Sequence, residues 1–266
     1  VTTDPVRGEV VLRPDFTVPV VQAHMDGGAE PARYCYLGEV FRKQDHGDTR
    51  PAHPRDNEYL QAGFELFARD TDANAEVFAL FYRLLAPYGL DAAMGDMDIL
   101  LDAVRALPVS DARRAALLHH VWRPIRFSRL IARFSAPAAA RDLPASPAPW
   151  TGLRTGTEME ARITTLQAEL TEPPLPAIWR DRLTRLFTID APAPEALAQL
   201  RALAQEIPEI AEAVDRLAAR LDQLAVRGVD PATIRFAASH GRETMEYYDG
   251  MTFTFTASHH PGWPPI

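Results

Sequence analysis

Two runs of alternating side chains constrain the fold of this 266-residue chain more than any other feature. They read RYCYLGEVFRK (residues 33–43) and EYLQAGFELFA (58–68), and the linker between them is rich in charged residues, Pro and His. Alternation of apolar and polar side chains is the pattern of a strand that buries one face. We therefore predict that the two runs pair as strands of an antiparallel sheet.

The second of these strands carries polar groups on one predicted face. Gln61, Gly63 and Glu65 stand two residues apart, so their side chains point to the same side of the strand. Because glycine has no side chain, we expect Gly63 to leave open space between the amide and the carboxylate. This face is predicted to bind a small polar ligand that carries a cationic group.

Three segments, in the correct order, resemble the class II aminoacyl-tRNA synthetases, in the form found in histidyl-tRNA synthetases and their paralogues. GEVFR followed by YLQAGFELF resembles motif 2 of that class, and LRPDFTVPV (12–20) resembles the LRPE-x-T segment. EYYDGMTFTF (246–255) resembles the second histidine-recognition segment. The resemblance implies an α+β fold, with an antiparallel sheet flanked by helices and a helical insertion.

The same resemblance implies a set of histidine-binding residues. The matching positions are Asp15, Thr17, Gln61, Glu65, Tyr247 and Tyr248. Arg42 matches the motif 2 arginine that contacts the α-phosphate of ATP, and Arg242 lies one residue from the family's second arginine, so both are candidate anion-binding residues. In the structural alternative, Asp15 and Glu65 pair with Arg13 or Arg42, and Tyr247 belongs to the core.

Two positions depart from the family's catalytic pattern. Gln44 stands where the resembling synthetases carry an acid, and Glu243 stands where they carry an arginine, four residues before the first tyrosine. A carboxylate at the second position repels the carboxylate that the arginine normally stabilises. We therefore expect no catalytic residues and no bound cofactor.

By resemblance, the chain is expected to be a histidine-sensing paralogue that partners the short-form catalytic subunit of ATP phosphoribosyltransferase. L-histidine is then its effector, and the expected assembly is a homodimer within a hetero-oligomer, with no role for tRNA. Two alternatives remain: a fragment of a working histidyl-tRNA synthetase, and a separate amino-acid-binding module on the same fold.

Composition narrows the class of protein. The formal net charge of −8 disfavours nonspecific attraction to a nucleic acid, since phosphate neutralisation supplies much of that affinity. Cys35, the single cysteine, excludes a disulfide framework, and we expect it to be a small buried core residue. No apolar run approaches the roughly 20 residues that span a bilayer, and no signal peptide opens the chain, so we expect a cytoplasmic protein. We also expect residues to be missing at one or both ends.

An arginine-rich region raises the question of a local basic surface. It contains Arg113, Arg114, Arg123, Arg126, Arg129 and Arg133. We expect a solvated helix face, with an anion-binding or partner-binding surface as the alternative. The pairs His119-His120 and His259-His260 lack the spacing of zinc ligands, and no metal site is predicted.

The pattern along the chain predicts its organisation. Residues 1–107 and 228–266 are expected to form the synthetase-like core, and 108–227 a helical insertion whose Pro residues mark short turns. We predict a hairpin at the start, a helix over 15–25 capped by Asp15, and a helix over 75–90 ending at Pro87 and Gly89. A strand is expected to pass into a helix over 96–107. Further helices are predicted over 112–122, 158–170 and 208–226, and further strands over 233–239 and 246–256.

Overall fold

The chain opens with the predicted hairpin. The computed structural model describes residues 2–41, 57–70, 72–137, 152–242, 248–260, 263 and 265–266. In it, strands β1 (Thr2–Asp4) and β2 (Gly8–Val10) pair antiparallel. The Asp4 carboxylate accepts the backbone N–H groups of Val6 and Arg7 at 2.8 and 2.7 Å. An Asp side chain that satisfies turn amides in this way stabilises the turn before the second strand begins.

Helix α1 (Thr17–Met25) follows, and its start differs from the prediction. The cap residue is Phe16, which makes no side-chain capping bond. Asp15 lies one residue earlier, where its carboxylate accepts the Thr17 N–H at 3.1 Å. The predicted role of Asp15 as the helix cap is therefore wrong, because this carboxylate closes a local turn just before the helix.

The two alternating runs form a long antiparallel pair, as predicted. Strands β3 (Ala32–Phe41) and β4 (Glu58–Phe67) are aligned over ten residues each. Side chains of one face, Tyr34 and Tyr36 among them, are partly buried, whereas the other face exposes Cys35, Leu37 and Leu60. The prediction that Cys35 is a buried core residue is wrong, because the register of the pair puts it on the exposed face.

Helix α2 (Ala73–Leu85) continues into a short 3₁₀ turn (Ala86–Tyr88) and ends at Gly89, as predicted. Gly89 adopts a φ of 60°, a left-handed conformation that glycine enters without steric cost. The helix buries Phe78, whose ring lies 5.1 and 5.5 Å from Phe253 and Phe255 near the end of the chain.

The strand-to-helix passage predicted over residues 96–107 lies earlier in the chain, because the strand already ends at Asp96 and residues 97–105 are helical. Strand β5 (Asp91–Asp96) leads directly into α3 (Met97–Arg105), and the Asp96 carboxylate caps the helix by accepting the Asp98 N–H at 3.0 Å. The amphipathic spacing of α3 buries Met97, Ile99, Leu100, Leu101, Ala103 and Val104.

Helices dominate the residues from 108 to 227. They are α4 (Asp111–His120), α5 (Pro124–Phe134), α6 (Gly156–Thr171), α7 (Ala177–Phe187), α8 (Ala193–Ala204) and α9 (Ala211–Val226), with a 3₁₀ turn at Pro208–Ile210. A short strand β6 (Asp190–Pro192), which the sequence did not predict, interrupts them. It pairs antiparallel with β7 (Ile234–Ala237), and Asp190 forms an ion pair with Arg235 across the two strands.

The last strand is shorter than the prediction. Strand β8 (Met251–Thr256) begins after Asp249 and Gly250, so Tyr248 precedes the strand instead of lying in it. Strands β5, β6, β7 and β8 form a four-stranded sheet in the order β6-β7-β5-β8. No helix in the described part of the chain has the length and apolar character needed to cross a membrane.

The chain divides into two compact units. Unit 1 comprises residues 1–93, 218–234 and 253–266, and unit 2 comprises residues 94–217 and 235–252. Among the predicted arginine cluster, all of it in unit 2, Arg126 and Arg129 are exposed but Arg113 is buried, so a uniformly solvated face is wrong. The division into a core (1–107 and 228–266) and an insertion (108–227) stays a prediction.

Candidate functional site

The partly buried face of the β3–β4 pair collects the polar residues that the alternation predicted. In the strand register Gln61 lies opposite Gly38, Gly63 opposite Tyr36, and Glu65 opposite Tyr34. Gln61, Gly63 and Glu65 share this face, because alternate residues of a strand point the same way. The site therefore stands on regular strands that fix the spacing of its polar groups.

The start of α1 lies against this face. The Thr17 hydroxyl donates a hydrogen bond to Glu65 Oε1 at 3.2 Å, and the Phe16 ring stacks on Tyr36 with centroids 4.7 Å apart. The Asp15 carboxylate is close enough to Glu65 to act on it electrostatically. Asp15, Thr17 and Glu65, which are 50 positions apart along the chain at most, thus meet in one place.

Glu65 is a carboxylate that the fold withdraws from water with little compensation. Burial raises the pKa of Glu65, the Thr17 hydrogen bond lowers it, and the nearby Asp15 charge raises it again. Arg13 does not pair with it: its Nε donates to the Glu39 carbonyl at 2.8 Å, and its guanidinium lies 4.2 Å from the Phe16 ring centre. Within the described residues, neither Asp15 nor Glu65 forms an ion pair.

On the same face, the side-chain oxygen of Gln61 lacks a hydrogen-bond donor. Its amide oxygen is buried and has no hydrogen-bond donor among the described residues. Burying a carbonyl oxygen without a donor costs about 1–3 kcal/mol, so such atoms are uncommon in native structures. An unsatisfied acceptor and an uncompensated carboxylate on one face together favour a ligand with N–H donors and positive charge.

The open space predicted at Gly63 is not there. A Cβ atom built at Gly63 would overlap the ring of Tyr36, so that ring occupies the volume beside the glycine. Gly63 is therefore needed for close packing of an aromatic side chain between Gln61 and Glu65. The sequence carried a signal for this packing. The alternation in RYCYLG puts Tyr34 and Tyr36 on one face of β3, and the register makes them the cross-strand neighbours of Glu65 and Gly63 on that same face.

A histidine of the chain itself also lies under this face, and sequence analysis missed it. His24 of α1 is buried, its Nδ1 lies 3.2 Å from the Tyr34 hydroxyl, and its ring stacks on Phe67 at 3.9 Å. The only sequence signal was its spacing of seven residues from Thr17, which returns to the same side of a helix.

The remaining predicted residues are placed elsewhere or not described. Tyr248 belongs to unit 2 and has an exposed side chain. Arg242, also in unit 2, is buried, with its Nε bonded to the Val121 carbonyl at 2.9 Å. Tyr247 and Arg42 lie outside the described residues, as do Gln44, Glu243, His46 and His53.

Metal binding finds no support in this geometry. Among the residues that the structure describes, no three His, Cys, Asp or Glu side chains gather as a metal-binding group. The polar groups that the β3–β4 face presents are the Glu65 carboxylate and the Gln61 amide oxygen, which are hydrogen-bond acceptors.

Comparisons with known proteins point to one family. Residues 2–144 match the sequence model described as "Histidyl-tRNA synthetase". A protein of Rhizobium rhizogenes named ATP phosphoribosyltransferase regulatory subunit is 27% identical, over 92% of this chain and 72% of that protein. The protein of the same name in Brucella canis is 28% identical, over 91% of this chain and 70% of its own length.

Solved structures show the same fold. An ATP phosphoribosyltransferase regulatory subunit/histidyl-tRNA synthetase from Bacillus halodurans superposes with a TM-score of 0.67 at 18% identity, covering 99% of this chain and 58% of that one. A histidyl-tRNA synthetase from Nostoc sp. gives a TM-score of 0.59 at 14% identity, over 95% and 52%. The chain thus spans somewhat over half the length of these structures. The predicted family resemblance and α+β fold class are confirmed.

Proposed function

Because the chain belongs to the histidyl-tRNA synthetase family, we propose that it is a noncatalytic regulatory subunit that binds L-histidine. Its partner is the short-form catalytic subunit of ATP phosphoribosyltransferase, and the two assemble in the cytoplasm as a hetero-oligomer built on a homodimer of this chain. Relatives that bear the name of that regulatory subunit and match 92% and 96% of the chain support this partnership.

One observation carries the ligand assignment: uncompensated acceptors gather on the β3–β4 face. L-histidine offers an ammonium group and an imidazole N–H, which are both donors. The Glu65 and Asp15 carboxylates and the buried Gln61 oxygen are acceptors without an ion-pair partner among the described residues. Charge-assisted hydrogen bonds formed away from bulk water are about twice as strong as neutral ones, which suits a site for a zwitterion.

The noncatalytic role rests on sequence positions. Gln44 and Glu243 replace the acid and the arginine that the resembling synthetases use for adenylate formation. The alternative function, histidine–tRNA ligase, is favoured by the description of the matching family. Pyrophosphate exchange separates the two: we expect no histidine-dependent exchange, and sustained turnover would establish the ligase.

Regulation follows from linkage. Histidine shifts the activity of the partner only by the difference between its affinities for the active and the inhibited assembly. The same difference must appear in reverse, as a change of histidine affinity when the partner binds. We therefore expect the complex to bind histidine with an affinity different from that of the isolated chain.

Calorimetry with L-histidine tests the site. Glu65→Gln removes the charge and keeps the size, so we expect binding to weaken by about 1.5–3 kcal/mol, or roughly 10- to 150-fold. Glu76→Gln is the matched control in the same unit, because Glu76 already pairs with Arg33 at 2.6 Å. Equal affinities of wild type and Glu65→Gln would remove Glu65 from the site.

A functional assay tests regulation. The purified catalytic subunit is mixed with wild-type chain or with Gln61→Ala, and histidine is titrated while product formation is followed. We expect both chains to assemble, with inhibition by histidine blunted in Gln61→Ala. Failure of the wild-type chain to associate would refute the partnership, and superimposable inhibition curves would place the effector elsewhere.

A further inference from the structure

Helix α1 contacts the candidate site at two points that lie seven residues apart. Its first residue, Thr17, donates its hydroxyl to Glu65 Oε1 at 3.2 Å. Two turns later, His24 places its Nδ1 3.2 Å from the hydroxyl of Tyr34, which is the cross-strand neighbour of Glu65. Seven residues bring a helix back to the same side after about 10 Å, so one face of α1 makes both contacts. All four residues belong to unit 1.

The surroundings of His24 are tightly packed. His24 is 7% exposed, and its ring stacks on that of Phe67 with the centroids 3.9 Å apart and the planes at 14°. The rings of Phe67 and Tyr34 meet edge to face at 5.7 Å. A Cβ atom built at Gly28 would overlap both His24 Nδ1 and the Tyr34 hydroxyl oxygen, so the backbone at Gly28 closes the space around this pair. The imidazole therefore has one defined position between α1 and the two strands.

These contacts form a closed path around Glu65. Glu65 bonds to Thr17 of α1, His24 of the same helix bonds to Tyr34 of β3, and the strand register sets Tyr34 directly opposite Glu65. Phe67 adds a second link, since it lies two residues after Glu65 on the same face of β4. Removing the imidazole opens this path and frees Thr17 and Tyr34 to move relative to one another.

We propose that His24 is a positioning residue, which holds Thr17 and Tyr34 in place beside Glu65 and thereby sets the affinity of the ligand site without touching the ligand. The inference rests on the proposed function, in which the Glu65 carboxylate binds a cationic group of histidine. A site binds more tightly when its side chains are already held in the geometry of the complex, because less freedom is lost on binding. His24 supplies that restraint from the last turn of α1.

Two substitutions remove the same contact from opposite sides. His24→Phe keeps a flat ring against Phe67 and removes Nδ1, whereas Tyr34→Phe removes the hydroxyl. Each should weaken L-histidine binding in calorimetry by about twofold to tenfold, the range for one neutral hydrogen bond. In the double variant the loss should be no larger than in either single variant, because both changes remove one contact. If His24→Phe does not fold, Tyr34→Phe decides.

Matched controls lie elsewhere in unit 1. Tyr82→Phe removes a hydroxyl whose oxygen lies 3.1 Å from Thr233 Oγ1, and His260→Phe replaces an imidazole that stacks on Trp263 at 4.5 Å. Neither Tyr82 nor His260 belongs to α1, β3 or β4. Both controls should therefore bind histidine with the affinity of wild type, whatever they do to Tm.

A spectroscopic titration of Glu65 reports on its surroundings without histidine. With glutamate labelled at the side-chain carboxyl carbon, the NMR signal that is lost in Glu65→Gln identifies this residue. Burial is the main cause that raises the pKa of Glu65, and α1 lies against that carboxylate. Loosening α1 in His24→Phe and Tyr34→Phe should therefore shift the pKa of Glu65 toward that of an ordinary glutamate. The two controls should keep the wild-type pKa, because a loss of global stability alone does not change the surroundings of Glu65 in the folded chain.

The outcomes separate this inference from the proposed function. If wild type binds no histidine, the proposed function fails, and the Glu65 titration alone decides whether His24 positions the carboxylate. An unchanged pKa of Glu65 in both test variants overturns the inference even if the affinity falls, because Tyr34 would then be a direct ligand contact. A shifted pKa with wild-type affinity refutes the link to binding, and additive losses in the double variant refute a contact shared by His24 and Tyr34.

Discussion

Arg113 and Glu65 are both charged side chains withdrawn from water, and the fold treats them in opposite ways. Arg113 in unit 2 pairs with Glu172 at 3.0 Å, donates to the carbonyls of Pro173 and Glu169 at 2.9 and 3.3 Å, and lies 5.0 Å from the Phe134 ring centre. Glu65 in unit 1 receives one hydroxyl hydrogen bond and faces the like charge of Asp15. The first group is compensated within its own chain, whereas the second is not.

This difference separates a structural charge from one that we propose binds a ligand. A buried charge is costly unless hydrogen bonds and an opposite charge offset its lost hydration. The Arg113 site meets that condition with backbone carbonyls and a carboxylate, which in turn accepts the Ser110 N–H and hydroxyl at 2.7 Å each. At the Glu65 site the carboxylate has no ion-pair partner and the Gln61 amide oxygen has no donor among the described residues, and we propose that a ligand supplies both. Substitutions at Arg113, Gly63, Glu65, Glu76 and Cys35 test this contrast.

The largest expected effect is on stability at the Arg113 site. Arg113→Met fills a similar volume but leaves the Glu172 carboxylate, 14% exposed, without its cation. Breaking a buried pair from one side costs about 3–5 kcal/mol, so urea unfolding should show a loss of that size. In the variant that remains folded, histidine affinity should equal that of wild type. A loss below about 1 kcal/mol would show that Arg113 is no more structural than Glu65.

The next effect tests close packing at Gly63. A Cβ there overlaps the Tyr36 ring, which cannot swing away freely because it stacks on Phe16 at 4.7 Å. Gly63→Ala should therefore destabilise the protein by about 1–3 kcal/mol, the usual cost of overpacking. Gly156→Ala is the control, since a Cβ at the start of α6 meets no atom within 4 Å.

A double variant identifies the cause. If the Tyr36 ring is the obstacle, Gly63→Ala should cost much less in a Tyr36→Leu background, because the two changes share one contact. Additive losses in the double variant would mean that the cost at Gly63 arises from the backbone or from another neighbour.

Local pattern predicted the strands well and the site less completely. The alternation of residues 58–68 gave both the pairing and the common face of Gln61 and Glu65, because period-two geometry follows from the backbone alone. The occupant of the space at Gly63 was not predictable in that way. The position of the Tyr36 ring depends on the register with β3, which brings Tyr36 opposite Gly63. It also depends on Phe16, which lies 20 residues before Tyr36 in the sequence and stacks on its ring.

The sequence pattern also did not predict which charged side chain would have an ion-pair partner in the fold. Arg113 was grouped with five other arginines as a solvated face, yet its partner Glu172 lies 59 positions later, at the end of α6 and just before Pro173. The short strand β6 was not predicted for a similar reason, because its pairing partner β7 is distant in sequence. Tertiary contacts of this kind decide burial, and no local pattern reports them.

A smaller effect concerns the pH dependence of stability. The pKa of Glu65 is raised by burial, so the unfolded chain loses this proton first, and the stability of wild type relative to Glu65→Gln falls as pH rises through the raised pKa. The pKa of Glu76 is lowered by its hydrogen bond to Arg33, so the stability it contributes is present above the unfolded pKa and is lost as pH falls through the folded one.

The two variants should therefore show opposite slopes. Urea unfolding from about pH 3 to about pH 7 spans the ordinary carboxylate range. Over it, Glu76→Gln should become progressively less stable than wild type, by about 0.2–1 kcal/mol at the upper end, as expected of an exposed ion pair. Glu65→Gln should become relatively more stable. Parallel curves would contradict the contrast between a compensated carboxylate and an uncompensated one.

The smallest effect is expected at Cys35, on the other side of the same strands. The strand that presents Tyr34 and Tyr36 to the candidate site turns Cys35 toward solvent, directly opposite Phe64 in the register. Replacing its thiol by a hydroxyl removes no buried contact, so Cys35→Ser should change the free energy of unfolding by less than about 0.5 kcal/mol. In native wild type the thiol should react with an aromatic disulfide reagent nearly as fast as it does in urea. Slow labelling in the native chain, relieved only on unfolding, would mean that this face is covered, and the Cys35 substitution would then cost stability as a core residue does.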